Sequence, residues 1–313
     1  MRIAIVGAGG VGGYFGGKLA KAGHDEVVFV ARGATLEALR AGGLRVDSIN
    51  GDFTVERVNA TDAPREIVDA VVFCVKAWQI PEAARQVKAI VGPETAVVPL
   101  ENGMEAPEQL GEIFGREHVL GGLCGIVAFI VAPGHIRHAG AEPFVMFGEL
   151  DDRDSDRVRR LREAFTSAGV KCDPTADVNH AMWSKFLFIT PMSAIGALTR
   201  VPIGVWRVMP EPRAMAIHAL REIIEVAAAR GVQLGEGAVE RTLARYDGLP
   251  PDATSSLQRD VMEGKPSELD AQLGAVSRMA RAAGIATPVC DGMLALLLPQ
   301  EAKSRSAAAK PPL

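Results

Sequence analysis

Three things are scarce in this chain of 313 residues: cysteine, net charge and long apolar runs. The four cysteines, Cys74, Cys124, Cys172 and Cys290, lie far apart and form no C-x-x-C pair. That excludes a disulfide framework and a cysteine zinc site, and it points to a reducing cytoplasm. His135-Ile136-Arg137-His138 offers two histidines without a nearby third ligand, so it reads as a loop after Pro133-Gly134 and no metal is expected. A net charge of −4 leaves no basic stripe for nucleic acid. The apolar run Ile3 to Val6 is too short for a signal peptide. Phe186 to Leu198 is interrupted by Pro191 and falls short of the roughly 20 residues that span a bilayer. No segment reads as transmembrane. What remains is ordinary globular composition, 48% hydrophobic and 23% charged, on a length that suits two domains.

The two halves of the chain carry different periods. Arg2–Val6, Glu26–Val30, Ala70–Val75, Thr95–Leu100 and Val119–Leu123 are short apolar runs bounded by Gly, Pro or charge. Runs apolar on both faces suit buried parallel strands with helical crossovers. Asn50-Gly51 signals a hairpin between residues 44–49 and 53–58, which would make part of the sheet antiparallel. Phe144–Gly148 reads as a last strand. Beyond about Ala176, helical spacing dominates: Asn179–Leu198, Ala214–Arg230, Gly237–Tyr246, Ser267–Ala283 and Pro288–Leu298, with Gly231 and Gly284 as C-caps. The expected organisation is an α/β domain at 1–176 and a helical domain at 177–300. The Ala-, Ser-, Lys- and Pro-containing tail, 301–313, is expected to be disordered.

Gly7-Ala8-Gly9-Gly10-Val11-Gly12 is a G-x-G-x-x-G directly after the first strand and at the start of a helix. Gly7 permits the tight turn, Gly9 lets the backbone approach a pyrophosphate, and Gly12 lets helix and strand pack closely. The free N–H groups of the helix start, Gly10 and Val11 among them, then face the phosphates. After the second strand, where an NAD site carries Asp or Glu, stands Arg32. A guanidinium suits a 2′-phosphate, so NADPH is the expected cofactor.

Delivering a hydride to a carbonyl needs a cation or acid at the oxygen and an anchor for the rest of the substrate. Lys76-Ala77-Trp78-Gln79 and Glu101-Asn102-Gly103 follow strands at the edge where open α/β sheets bind ligands. Lys185 stands alone in an otherwise apolar helix. Thr254-Ser255-Ser256 precedes a helix, and Glu268 follows Ser267, itself a candidate helix cap.

Together these pieces resemble the ketopantoate reductase (2-dehydropantoate 2-reductase) family. The match runs from Met1 to about Leu298, on Gly7–Gly12, Arg32, Lys76 to Gln79, Asn102-Gly103, Trp183-x-Lys185, Thr254 to Ser256 and Glu268. The resemblance implies a Rossmann-type N-terminal domain followed by an all-α C-terminal domain, with the active site between them. It implies reduction of ketopantoate to pantoate by NADPH on the route to pantothenate and coenzyme A. On matching positions, Lys185 is the implied general acid, and Glu268 orients the substrate hydroxyl and Lys185. Ser256 would bind the substrate carboxylate, Asn102 ribose or substrate, Lys76 and Gln79 the cofactor, and Arg32 the 2′-phosphate.

Departures from the pattern bear on the substrate. Ile189 and Ser193, four and eight residues past Lys185, stand where the family often has Asn, and Ala253 replaces another. Ser193 still offers a hydroxyl and is counted as a substrate contact. The alternatives are a reductase of another branched 2-oxo acid and, from another class, a dinucleotide sensor without turnover. A homodimer through the apolar surface of the helical half is an open possibility; no nucleic-acid or membrane partner is expected.

Overall fold

A computed structural model describes residues 1–23 and 26–308. The chain divides into two compact units, one of residues 1–101 and 105–179, the other of 102–104 and 180–313. In chain order the first holds β1 (Ile3–Val6), α1 (Gly10–Lys21), β2 (Val27–Val30), α2 (Gly33–Gly42), β3 (Leu44–Ser48), β4 (Phe53–Val55), β5 (Asn59–Thr61), β6 (Val68–Phe73) and α3 (Ile80–Val87). It continues with β7 (Val91–Pro99), α4 (Ala106–Phe114), β8 (Leu120–Ala132), β9 (His135–Glu149), α5 (Asp156–Ser167) and β10 (Lys171–Cys172).

Five strands pair in parallel in the order β5-β2-β1-β6-β7. Alternate residues of β1 serve two cores: Ile3 and Ile5 pack on one face, Ala4 and Val6 on the other. Apolar side chains on both faces are what a central strand covered on both sides requires. This is the Rossmann-type arrangement, in which the carboxyl ends of β1, β2 and β6 share one edge.

The Asn50-Gly51 hairpin forms, with β3 antiparallel to β4, but it belongs to a second sheet. That sheet runs β10-β9-β3-β4, with β8 paired to β9. The antiparallel portion expected in the first sheet is therefore absent from it. Two expected short strands grow into the long hairpin β8–β9, and its turn is Pro133-Gly134, with Gly134 at φ +72°. His135 and His138 consequently lie in a strand, not in the expected loop. His135 Nε2 meets Asp47 Oδ2 and His138 Nδ1 meets Ser48 Oγ, each at 2.8 Å.

The second unit is helical: α6 (Val178–Thr199, its first two residues counted with the other unit), α7 (Ile203–Trp206), α8 (Pro210–Ala229), α9 (Ala238–Asp247), α10 (Ser256–Met262), α11 (Ala275–Ala282) and α12 (Pro288–Ala308). A π-turn, Asp270–Gly274, leads into α11. Trp206 and Tyr246 are its largest fully buried side chains.

Helix α6 covers the expected segment Asn179–Leu198 and runs unbroken through Pro191. Proline has no N–H and crowds the carbonyl four residues back, so the ladder opens there. The buried Tyr246 hydroxyl enters the gap. It donates to Phe188 O at 2.7 Å, and the Met192 backbone N–H donates to the hydroxyl oxygen of Tyr246. At 22 residues α6 is long and apolar enough to cross a membrane, yet two-thirds of its apolar window is buried inside the protein. A core helix has that property.

The tail is also different from expectation. Residues 301–308 continue α12 as helix, and 309–313, like His24 and Asp25, lie outside the described residues. Ala, Lys, Arg and Glu are good helix formers. Glu301 moreover is 5% exposed and holds partners from elsewhere in the unit, so this part of the tail is packed.

Candidate functional site

In the first unit, the sequence-predicted cofactor residues gather at the carboxyl edge of the parallel sheet. Gly7, just past β1, takes φ +94° and lies against Cys74 and Val75, just past β6. An added Cβ on Gly12 would sit 1.9 Å from Gly7 O and 3.0 Å from Ile5 Cγ2. No side chain fits there, so α1 starts hard against its own strand. The first turn of α1 contains no acidic residue, and its leading N–H groups have no partner within the helix. Such a corner fits the pyrophosphate of a dinucleotide.

Lys76 and Gln79 lie beside that corner. The Gln79 side chain accepts from Lys76 N at 3.1 Å and fixes the turn, and Lys76 Nζ stands 5.9 Å from the Trp78 ring centre. Glu101, past β7, accepts from Val75 N at 3.2 Å and ties the adjacent strand ends together. Burial pushes the Cys74 thiol well above its ordinary pKa, and the nearby Glu101 charge adds to this. No cysteine nucleophile is poised under the glycine turn. Arg32, at the entry to α2, forms an ion pair with Glu82 in the first turn of α3. Glu82 was not singled out from sequence, and a lone Glu early in a helix carries no signal of its own.

In the helical unit, two predicted residues 166 positions apart meet. Asn102 Nδ2 donates to Glu268 Oε2 at 2.9 Å. Glu268 is 6% exposed, and a carboxylate so buried needs donors. Gly103 follows at φ +116°, where an added Cβ would lie 2.7 Å from Ala271 O. The segment 102–104 therefore lies directly on the chain leading into the π-turn, an irregularity frequent at functional sites.

The residue before Glu268 is clamped by the end of α12. Ser267 donates from N to both Glu301 oxygens at 3.1 Å, and from Oγ to Glu301 Oε2 at 2.6 Å. Arg305 bonds Glu301 at 2.8 Å and Ser267 O at 3.2 Å. The Ser267 hydroxyl thus serves Glu301 besides accepting from Leu269 N at 3.3 Å. Sequence reading missed Glu301 because it had been placed in the tail.

Other predicted residues are not joined to this pair. Lys185, half-buried on α6, makes no hydrogen bond or ion pair among the described residues. Lys185 and Glu268 are not joined by a hydrogen bond or ion pair, and Glu268 Oε2 takes the Asn102 amide. Ser256 opens α10 half-buried, and the cap is its neighbour Ser255, which accepts from Gln258 N at 3.0 Å. That leaves the Ser256 hydroxyl without a capping duty. Ser193 is 0% exposed with an unpartnered hydroxyl. Among the described residues, no group of three or more His, Cys, Asp or Glu is placed to hold a metal.

Residues 3–152 match the ketopantoate reductase PanE/ApbA family, and residues 177–301 match that family's C-terminal domain. The chain is 31% identical over 305 residues to the uncharacterized oxidoreductase YkpB of Bacillus subtilis, covering 97% of this chain and all of that one. It is also 31% identical over 319 residues to 2-dehydropantoate 2-reductase of Mesorhizobium japonicum, covering 95% and 97%. The crystal structure of 2-dehydropantoate 2-reductase from Geobacter metallireducens superposes with a TM-score of 0.88 at 31% identity, over 96% of this chain and 99% of that chain.

Proposed function

Because the chain belongs to the ketopantoate reductase family, whose members are oxidoreductases, we propose that it reduces 2-dehydropantoate to pantoate with NADPH. When bound, the dinucleotide supplies a hydride from nicotinamide C4 to the keto carbon. The Gly7–Gly12 backbone and the start of α1, with Gly9, Gly10 and Val11, hold the pyrophosphate. Arg32 takes the 2′-phosphate, and Lys76 and Gln79 steady the neighbouring groups. As the substrate oxygen gains charge, the Lys185 ammonium stabilises it and gives up a proton, forming the product hydroxyl. The neutral amine regains that proton from water. Such a cation favours the alkoxide over the ground-state ketone, which is where catalysis is won. Glu268 accepts the substrate hydroxyl, Asn102 holds ribose or substrate and Ser256 binds the carboxylate.

The observation that carries the reading is the Asn102–Glu268 hydrogen bond. It joins a residue from a strand end to a buried carboxylate in the helical unit, and both belong to the motif set. Lys185 without a partner among the described residues is also what a group that meets substrate requires. The four free cysteines support a reducing, cytoplasmic setting.

Steady-state NADPH oxidation with a panel of 2-oxo acids tests the reading. 2-Dehydropantoate is expected to give the highest kcat/KM, and no turnover of any member would sink it. Lys185→Ala should lower kcat by about a hundred-fold or more, with NADPH affinity retained. Unchanged kcat would remove Lys185 from the mechanism. A second reading, reduction of another branched 2-oxo acid, is favoured by Ile189. Its apolar side chain stands where an amide would pair with a substrate hydroxyl. A higher kcat/KM for an acid without that hydroxyl would select it.

A further inference from the structure

The Arg32–Glu82 ion pair spans 50 residues and joins two elements of the sheet's carboxyl edge. Arg32 follows β2 and Glu82 lies in the helix after β6, the two strands that flank β1. The pair therefore bridges the two sides of the strand that delivers the glycine turn. Both side chains are about half exposed, 49% and 64%, so a ligand can reach either group. Just ahead of α3 the same rim carries Gln79, which is bonded to Lys76 N and lies three residues before Glu82.

Charge decides what this pair does. Arg32 alone would present a full positive charge to a 2′-phosphate; with Glu82 beside it the local charge is close to zero. A phosphate dianion with three acceptor oxygens outcompetes a carboxylate for a guanidinium, but it must displace that carboxylate first. A bare ribose hydroxyl carries no charge to displace it. Carboxylates at this end of such a site accept hydrogen bonds from ribose hydroxyls. The second strand ends in Arg32 and lacks the usual acid, and Glu82 brings one in from a different element.

We propose that Glu82 is a specificity-determining residue of the dinucleotide site, competing with the 2′-phosphate of NADPH for Arg32 and accepting the ribose hydroxyls of NADH. The chain then uses both dinucleotides, with its preference for NADPH held down by Glu82. This inference rests on the reading of Arg32 as the 2′-phosphate contact.

Fluorescence titration of the full chain with NADPH and with NADH tests it, using wild type, Glu82→Gln, Arg32→Ala and the double variant. Glutamine keeps the size of Glu82 and removes its charge. Exposed ion pairs of this kind are worth a small factor, so Glu82→Gln should tighten NADPH binding about two- to five-fold. NADH should weaken, so the ratio of the two dissociation constants moves towards NADPH. In the Arg32→Ala background, Glu82→Gln should bring no gain for NADPH. If Glu82→Gln leaves the ratio unchanged while Arg32→Ala abolishes the preference, Glu82 has no such role and the reading of Arg32 stands. An unchanged ratio in Arg32→Ala overturns both.

Discussion

A buried carboxylate that loses a donor keeps the cost of its desolvation, so the Asn102–Glu268 bond is where a change of a few atoms should be felt most. Asn102→Ala is expected to destabilise the fold by about 1–3 kcal/mol in urea unfolding. If Glu268 meets substrate as proposed, the variant also loses kcat/KM, and full activity would separate the bond from the chemistry. Much at this scale was legible in the sequence. The placement of Gly7–Gly12 after β1 and of Arg32 after β2 was, because a turn and the strand end beside it are set by neighbours in the chain. Asn102 and Glu268 were found as residues but not as partners, since nothing local encodes a contact 166 positions long. Glu82 was illegible because its meaning lies in the guanidinium opposite. Lys185 and Glu268 are likewise not joined directly, and the Asn102 amide takes only Oε2 of the carboxylate.

Whole elements were less legible where two local rules conflicted. Helix α6 was legible as Asn179–Leu198 in spite of Pro191, but not the Tyr246 hydroxyl that bonds Phe188 O beside the opened turn. Tyr246→Phe should leave Phe188 O without that donor and lower stability by about 1–3 kcal/mol; an unchanged melting temperature would show that the hydroxyl is dispensable. Of the β8–β9 hairpin only Val119–Leu123 and Phe144–Gly148 were legible as short strands, and β8 carries Gly121, Gly122 and Gly125. In the sheet these glycines admit close neighbours: a Cβ on Gly125 would lie 2.1 Å from the Phe144 ring. The end of α12 was read as tail from its composition, which cannot report that Glu301 reaches Ser267. Glu301→Ala is therefore expected to lower both stability and kcat, whereas a passive tail residue would change neither. At the far end of β9, Glu149 takes two bonds from Arg157 of α5, each 2.7 Å. Burial alone would raise its pKa, but the Arg157 and Ser155 bonds more than offset that and hold it below the ordinary carboxylate value. The stability this provides is complete above about pH 4.3 and is lost as the pH falls through the depressed value. Glu149→Gln should accordingly unfold with a shallower acid dependence below about pH 4, and identical acid titrations would disprove the linkage.

At the scale of the molecule, the change of hydrophobic period near Ala176 was a legible sign of two bodies, and contacts divide the chain between Asn179 and His180. Their cores are made of different residues, the sheet and its helices in one and α6 to α12 in the other. Calorimetry should then resolve more than one unfolding step. A dinucleotide fragment such as 2′,5′-ADP should raise the step of the sheet-bearing unit, by about 2.7 kcal/mol at a hundred-fold excess over its Kd. A single transition displaced as a whole would contradict this. Periodicity could not reveal that residues 102–104 belong with the helical body while the chain on either side of them belongs with the sheet.

That three-residue excursion sets a schedule for biosynthesis. A ribosome adds about 5–20 residues each second, so Asn102 emerges roughly ten to thirty seconds before the carboxylate it will bind. The sheet can mature in that interval while residues 102–104 still wait for their partner in the helical unit.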